Sequence, residues 1–290
     1  MKLAIDSYCY HRYFGEIYPD LQTDPGKRMT VWDFLRRAHK LGVAGVSLES
    51  CFMPTLDDRF LDDLRAKLDE YGLERVWAWG HPDGLASGTD RVAENDLVRH
   101  LEFARRIGAP VMRIVGGSRR TRPDSWSMHK RQLSRMLKRL VGPAENHGVE
   151  LAIENHLDVL ADEMLDLINT VNSRWLGVCL DTGNNLRMFE DPLHVAKRLA
   201  PFTRATHIKD IGVHRGNPRD FSFWPSVPIG KGLVDIEGIL ALLRKHRYQG
   251  LLAIEVDYLH PDFGTEDRAV AASVRRLREM LALAGPTRRT

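Results

Sequence analysis

The chain has 290 residues, 43% of them hydrophobic and 28% charged, with a formal net charge of +3; that length fits one α/β barrel or two smaller domains. The positive excess is small and dispersed, which argues against nucleic acid as a partner, and the basic tail TRRT reads as a solvated terminus. Three cysteines without a CxxC pair point to reduced thiols in a cytoplasm, the start MKLAIDSYCY turns polar too soon for a signal peptide, and no apolar run is long enough to span a membrane.

The first apolar stretch, 2–6, reads as a buried strand and leads into a long irregular segment at 7–28. A helical pattern at 30–41, opened by Thr30 as N-cap, ends at Gly42 before a strand at 43–49. A helix at 57–71, capped by Asp57, ends at Gly72 before a strand at 74–79. Helices at 89–107 and 126–147, capped by Thr89 and Ser125, end at Gly108 and Gly148 before strands at 111–116 and 149–154. A helix at 160–172 precedes a strand at 176–181, and a helix at 191–201, with Pro192 at its first position, precedes a strand at 204–209. After a second long irregular stretch, 211–234, a helix at 235–246 capped by Asp235 leads through Gly250 to a strand at 250–256, and a helix at 264–284 follows. Eight βα units without a linker predict a single (β/α)8 TIM barrel over residues 1–290, and its two long loops are expected to be functional.

In such a barrel the active site lies at the carboxyl ends of the strands. Strand five, LAIENH, ends in Glu154; strand six ends in Asp181; strand seven carries His207; strand eight carries Glu255. Consecutive strands bring these four side chains to one side of the mouth. Each group can pair with a nearby Arg or Lys, but one divalent cation satisfies all four at once. An oxygen-rich set with a single His suits Mn²⁺ or Mg²⁺, also Co²⁺; Zn²⁺ prefers more nitrogen or sulfur.

The segments LAIENH, VCLDTGN, THIKD and AIEVD resemble the xylose isomerase-like (β/α)8 barrels, the sugar phosphate isomerase/epimerase group, over nearly the whole chain. That group holds ketose 3-epimerases, inosose dehydratase, 3-oxoisoapionate decarboxylase and the barrel subunits of C-glycoside deglycosidases. The resemblance implies one divalent metal ion on Glu154, Asp181, His207 and Glu255, with Glu154 and Glu255 doubling as the catalytic acid/base pair. Ketohexose epimerases of the group carry a His three residues past the strand-six Asp, an Arg six past the strand-seven His, and a Glu six past the strand-five Glu. Here those positions are Asn184, Val213 and Leu160, so a free ketohexose epimerase is not well supported. The barrel is also shared by endonuclease IV, whose larger His and Asp ligand cluster has no match here.

His156 and Lys209 stand two residues past Glu154 and His207, which puts them on the ligand side if each strand persists. Lys209 is a candidate to stabilise an enolate, hold a substrate carboxylate or donate a proton; a salt bridge with Asp210 or a barrel carboxylate is the structural alternative. His156 is a candidate acid/base or substrate donor, or a hydrogen-bonding support. Asn184 reads either as a donor to a substrate hydroxyl or as the cap of the turn after strand six. Arg113 reads as a contact for an anionic substrate group or as an internal ion pair, and Glu49 as a contact for sugar hydroxyls or as the partner of Arg113. The VGGS turn after strand four could cradle an anion or simply turn the chain. Trp79 and His81 are candidates to wall a sugar pocket, with Trp77 in the core. Tyr8, His11, Phe221, Phe223 and Trp224 are candidates to cover the mouth, and Cys179 fills the barrel.

The expected chemistry is enolisation of a small keto sugar or derivative, of isomerase or epimerase type. A lyase on a keto sugar acid or 3-keto-glycoside (decarboxylase, dehydratase or β-eliminase) is the alternative, and a non-catalytic sugar-binding barrel a third. Lys209 and Arg113 tilt the reading toward an anionic or otherwise modified substrate. The expected partners are a small keto sugar or sugar acid and either a second copy of the chain or a small accessory subunit, with no nucleic acid and no membrane.

Overall fold

A computed structural model describes residues 1–19, 21–213 and 224–283. Eight parallel strands close into a barrel: β1 (Lys2–Asp6), β2 (Gly45–Glu49), β3 (Glu74–Ala78), β4 (Val111–Ile114), β5 (Glu150–Glu154), β6 (Leu176–Asp181), β7 (Thr203–Ile208) and β8 (Leu251–Ile254). Each strand is followed by a helix: α1 (Val31–Leu41), α2 (Asp58–Glu70), α3 (Arg91–Ile107), α4 (Trp126–His147), α5 (Ala161–Val171), α6 (Pro192–Leu199), α7 (Ile236–Lys245) and α8 (Glu266–Leu283). β1 closes the ring against β8, with Ile5 opposite Ile254. No described helix is long and apolar enough to cross a membrane.

The alternation of side chains along a strand sorts the core into two parts. Leu3, Ile5, Leu48, Trp77, Ile114, Ile153, Leu180 and Ile208 face the helices and share one large cluster with them. Residues of the other parity meet inside the barrel: Ala4, Val76, Ala152, Cys179, Ala205, Leu251 and Ala253. Most of these are small. Two residues further along the strands the same parity reads Asp6, Arg113, Glu154, Asp181, His207 and Glu255, all buried. The barrel therefore has an apolar floor and a charged upper layer, and Cys179 belongs to the floor.

The helix boundaries follow their caps. Thr30, Asp57, Ser125 and Asp235 accept backbone N–H groups of the first turn, and Pro192 opens α6. The cap of α3 is Asp90, not Thr89: its carboxylate accepts from Val92 and Ala93, while the Thr89 hydroxyl donates back to Ala86 O. Gly42, Gly72, Gly108 and Gly148 take the left-handed position after their helices, but Gly250 does not. After α7 the left-handed residue is Arg247, at φ 58°. Gly250 is there for space, since a Cβ would run into the Tyr248 ring.

Both long loops sit at the carboxyl ends of the strands. The segment after β1 folds into short helical turns at Ser7–Tyr10 and His11–Phe14. In the loop after β7, Asp210–Ile211 pairs antiparallel with Ser226–Val227. Phe221 and Phe223 lie outside the described residues, as does residue 284 of the expected last helix.

Replacing Asp90 with Ala is expected to cost about 1 kcal/mol, the usual worth of an N-cap. Urea denaturation followed by circular dichroism checks this, and an unchanged midpoint would return the cap to Thr89.

Candidate metal centre

Glu154 and Asp181 are the last residues of β5 and β6, His207 is the penultimate residue of β7, and Glu255 directly follows β8. One ligand atom from each lies within 4.8 Å of all the others, and all four residues are buried. His207 Nδ1 stands 3.6 Å from Glu154 Oε1, 3.9 Å from Asp181 Oδ2 and 3.4 Å from Glu255 Oε2. Among the described residues His207 Nδ1, Glu154 Oε2, Asp181 Oδ2 and Glu255 Oε2 are buried without a well-aligned hydrogen bond, the three carboxylate oxygens having ion-pair contacts with Arg113 or Lys209. Buried polar atoms left this way are costly. A divalent cation satisfies all four, so the donor set fits one metal ion.

The groups behind the ligands fix their orientation. His207 Nε2 faces Asp6 Oδ2 at 3.4 Å, the arrangement in which a carboxylate holds a ligating imidazole in one tautomer. Asp181 Oδ1 accepts the backbone N–H groups of Gly183 and Asn184 at 2.8 and 2.7 Å, leaving Oδ2 for the centre. Asn155 ties the ends of β5 and β6 together: Nδ2 donates to Asp181 O and Oδ1 accepts from Asp181 N, both at 2.8 Å.

Two buried cations flank the centre. Arg113 Nη2 donates to Glu49 Oε1 at 2.6 Å, and its Nε is 3.2 Å from Glu154 Oε2. Lys209 Nζ is 2.7 Å from Glu255 Oε2, 3.2 Å from Asp181 Oδ2 and 3.1 Å from Asp257 Oδ2. Burial opposes charge on Glu154, but Arg113 and then His207 outweigh it and hold the carboxyl well below its usual range. Burial pushes Glu255 up to about 7, only partly offset by Lys209 and His207. A bound cation would pull Glu255 back down.

Among the two readings of Arg113, the structure shows the internal ion pair, and Glu49 is its partner. Lys209 also pairs with barrel carboxylates, but not with Asp210. The Asp210 carboxylate instead accepts backbone N–H groups of Gly230, Gly232 and Val234. Asn184 does not cap the turn it opens. Its Nδ2 donates to Glu154 Oε1 at 3.0 Å and its Oδ1 accepts from Lys209 Nζ at 3.3 Å, so it links a ligand to the lysine. β5 stops at Glu154, so His156 sits in the loop beyond it, half-buried, with Nδ1 lacking a partner among the described residues. His81 stacks on Trp79 at 5.1 Å, and no hydrogen bond or ion pair joins it to the ligands among the described residues.

Four contributors escaped the sequence: Asp6, Asn155, Arg187 and Asp257. Arg187 forks onto Asp257 at 2.6 and 3.1 Å, and Asp257 also accepts from Ser226 Oγ at 2.6 Å. Asp6 ends its strand just as Asp181 does, a signal that was available. Asp257, two residues past Glu255, repeats the spacing that singled out Lys209 and His156.

Asp6→Asn removes no ligand but loosens the hold on His207. It is expected to weaken Mn²⁺ or Zn²⁺ binding about 10–100-fold. Titration calorimetry on chelator-stripped protein should show close to one site per chain for wild type, and equal affinity in Asp6→Asn would remove Asp6 from the centre.

Residues 35–280 match the family described as the xylose isomerase-like TIM barrel. The chain is 24% identical to the 3-oxo-isoapionate decarboxylase of Pectobacterium atrosepticum over 184 residues, 63% of this chain and 62% of that protein, so the match spans less than two thirds of that relative. It is 24% identical to the inosose dehydratase of Mesomycoplasma hyopneumoniae over 217 residues, 67% of this chain and 72% of that one. Among solved structures, the IolI protein with a bound zinc atom superposes with a TM-score of 0.76 at 16% identity, covering 99% of this chain and 100% of that one. With the matched family spanning most of its barrel, the chain belongs to the xylose isomerase-like TIM barrel family.

Proposed function

We propose that the protein is a divalent-metal-dependent enzyme that enolises a small keto sugar or keto sugar derivative, in the manner of a sugar isomerase or epimerase. The observation that carries this reading is the convergence of Glu154, Asp181, His207 and Glu255 within 4.8 Å at the strand ends. Glu154, Asp181, His207 and Glu255 would hold a divalent ion, Mn²⁺ or Mg²⁺ by the oxygen-rich donor set with Co²⁺ or Zn²⁺ as alternatives, and that ion would supply Lewis-acid polarisation of a ketone. Glu154, held ionised by Arg113, takes the proton next to the carbonyl. Glu255, with the Lys209 ammonium 2.7 Å away, holds or returns a proton on the other side of His207. Asn184, bonded to both Glu154 and Lys209, orients the two and is placed to meet a substrate hydroxyl. His156 lies in the loop directly after Glu154, its Nδ1 buried and without a hydrogen bond among the described residues, and is the candidate to relay a proton to or from Glu154. His81 remains a candidate wall on the β3 side, but Trp79 beneath it is core: it is buried among the helix-facing residues and its Nε1 donates to Asp96 of α3.

The relatives favour a second reading. Proteins named decarboxylase and dehydratase are both lyases, which suggests the same enolate reached by loss of CO2 or of water. Turnover in deuterium oxide separates the two. An isomerase or epimerase that exchanges its proton labels recovered substrate as well as product. A decarboxylase releases CO2 and places deuterium on the carbon that lost it.

Glu154→Gln and Glu255→Gln keep the side-chain shape but remove a base, and each is expected to lower turnover by about 10²–10⁴ at saturating metal. A variant that keeps wild-type turnover would clear that residue of the acid/base role. Lys209→Met, which removes a charge-assisted hydrogen bond, is expected to lower kcat/KM by about 10–150-fold while metal content holds. Full activity in that variant would reduce Lys209 to structural support.

A further inference from the structure

We propose that the loops after β3, β4 and β5 build a second cation site, separate from the metal centre, which takes a monovalent ion such as K⁺ or Na⁺ on Asp158, Ser87 and Thr121. The VGGS turn after β4, which the reaction above leaves unused, forms its floor. Among the described residues no hydrogen bond or ion pair joins Asp158, Ser87 or Thr121 to the four metal ligands, and the site does not depend on the enolisation reading.

Gly117, the second glycine of that turn, is buried and has no room for a side chain. A Cβ there would stand 2.5 Å from Ser87 Oγ, 2.8 Å from Thr121 Oγ1 and 3.0 Å from Asp158 Oδ2. Oxygens from three successive loops therefore converge beside one glycine. The two hydroxyls are 3.1 Å apart. Ser87 is fully buried and held at φ 56°, a left-handed backbone that a side chain disfavours, so its hydroxyl is kept here at a cost. Gly88 next to it packs so closely on α4 that a Cβ would come within 2.5 Å of Leu133 N. His129 of α4 completes the surround, with Nε2 3.9 Å from Asp158 Oδ2.

Asp158 is 2% exposed, and its Oδ2 has no hydrogen-bond partner among the described residues. His129 is fully buried, and neither of its ring nitrogens has one. Buried polar atoms of this kind call for an ion or a water. Among the described residues no Lys or Arg lies within ion-pair distance of the Asp158 carboxylate. Arg122 forks onto Glu163 at 2.8 and 2.7 Å and gives Asp158 only a hydrogen bond to its backbone O. Arg120 turns to Asp83 at 2.8 Å. Burial pulls His129 down to about 4, so a neutral imidazole stands beside the carboxylate at pH 7. Burial pushes Asp158 up to about 6, with Arg122 opposing and Glu154 and Glu163 adding to it, so at pH 7 its charge is present and unanswered. One monovalent cation answers it. Water would satisfy the hydroxyls but not the charge. Ca²⁺ takes about six to eight oxygens and Mg²⁺ a near-ideal octahedron, more than this seat supplies, and either would leave a positive surplus.

The test uses protein loaded with one equivalent of Mn²⁺ and kept in choline chloride, whose cation is too large for the seat. Replacing choline with K⁺ or Na⁺ at constant ionic strength is expected to raise the melting temperature saturably, by roughly 2–4 °C. Crystals soaked in RbCl are expected to show an anomalous peak among Asp158 Oδ2, Ser87 Oγ and Thr121 Oγ1. Asp158→Asn keeps the shape and removes the charge, and is expected to abolish both effects. Ser87→Ala removes one oxygen and is expected to weaken K⁺ binding by about 2–10-fold. Should Asp158→Asn fail to fold, Ser87→Ala and the rubidium map still decide. Equal melting in choline and K⁺ with no rubidium peak would overturn the proposal, and so would a K⁺ effect that persists in Asp158→Asn or a Mn²⁺ ion in the seat. A His129 imidazolium at pH 7, read from its ring-nitrogen shifts by NMR in K⁺-free buffer and unmoved by K⁺, would assign the balance to a buried ion pair and overturn it as well.

Discussion

Everything at the active end of this barrel depends on keeping a set of buried carboxylates compensated. Glu154, Asp181 and Glu255 sit almost without solvent contact around His207, with Asp6 behind the imidazole and Glu49 and Asp257 to either side. Left alone, such a layer would repel itself and take up protons. Arg113 and Lys209 answer part of the charge, and the converging oxygens and imidazole could hold a divalent cation that would answer more of it. The barrel can hold this layer because the floor beneath it is small and apolar: Ala4, Ala152, Cys179, Ala205 and Ala253 lie below Asp6, Glu154, Asp181, His207 and Glu255 on the same strands. Small residues let the strand ends approach until four ligand atoms converge.

The same period-two alternation made much of this legible in the sequence. Short apolar runs between glycine-punctuated helices gave all eight strands, and reading their last residues gave the four converging groups. What stayed hidden depends on distance around the ring. Asp6 is the end of β1, but its value comes from facing His207, which no local pattern records. Arg187 meets Asp257 across seventy positions of the chain. Thr89 and Asp90 are adjacent and both able to cap, so only the backbone geometry decides between them. Gly250 follows a helix end like the other glycines, but Arg247 had already made the left-handed turn.

Arg113 and Lys209 show how a correct observation can carry two meanings. A cation at a strand end reads as a hand for an anionic substrate. In the folded chain both are engaged by the protein's own acids, Arg113 by Glu49 and Glu154, Lys209 by Asp181, Glu255 and Asp257. They tune and orient the ligands first, and any contact with substrate is made from within those pairs.

The two cations are not equivalent, and the difference gives the proposed reaction a direction. Arg113 faces Glu154 with a guanidinium that does not release a proton at any working pH. It can hold Glu154 ionised but cannot resupply it, so a proton taken up by Glu154 must pass to substrate, solvent or a neighbour such as His156. Lys209 faces Glu255 and Asp181 with an ammonium that these carboxylates and Asp257 hold well above its usual range against burial, yet it only partly offsets the burial that pushes Glu255 up to about 7. Asn184 touches Glu154 with its amide nitrogen and Lys209 with its amide oxygen, so the two halves are joined by one side chain. In the enolisation proposed here, abstraction therefore belongs on the side of β4 and β5, where charge is fixed. Proton return belongs on the side of β7 and β8, where burial pushes Glu255 up to about 7 beside the Lys209 ammonium.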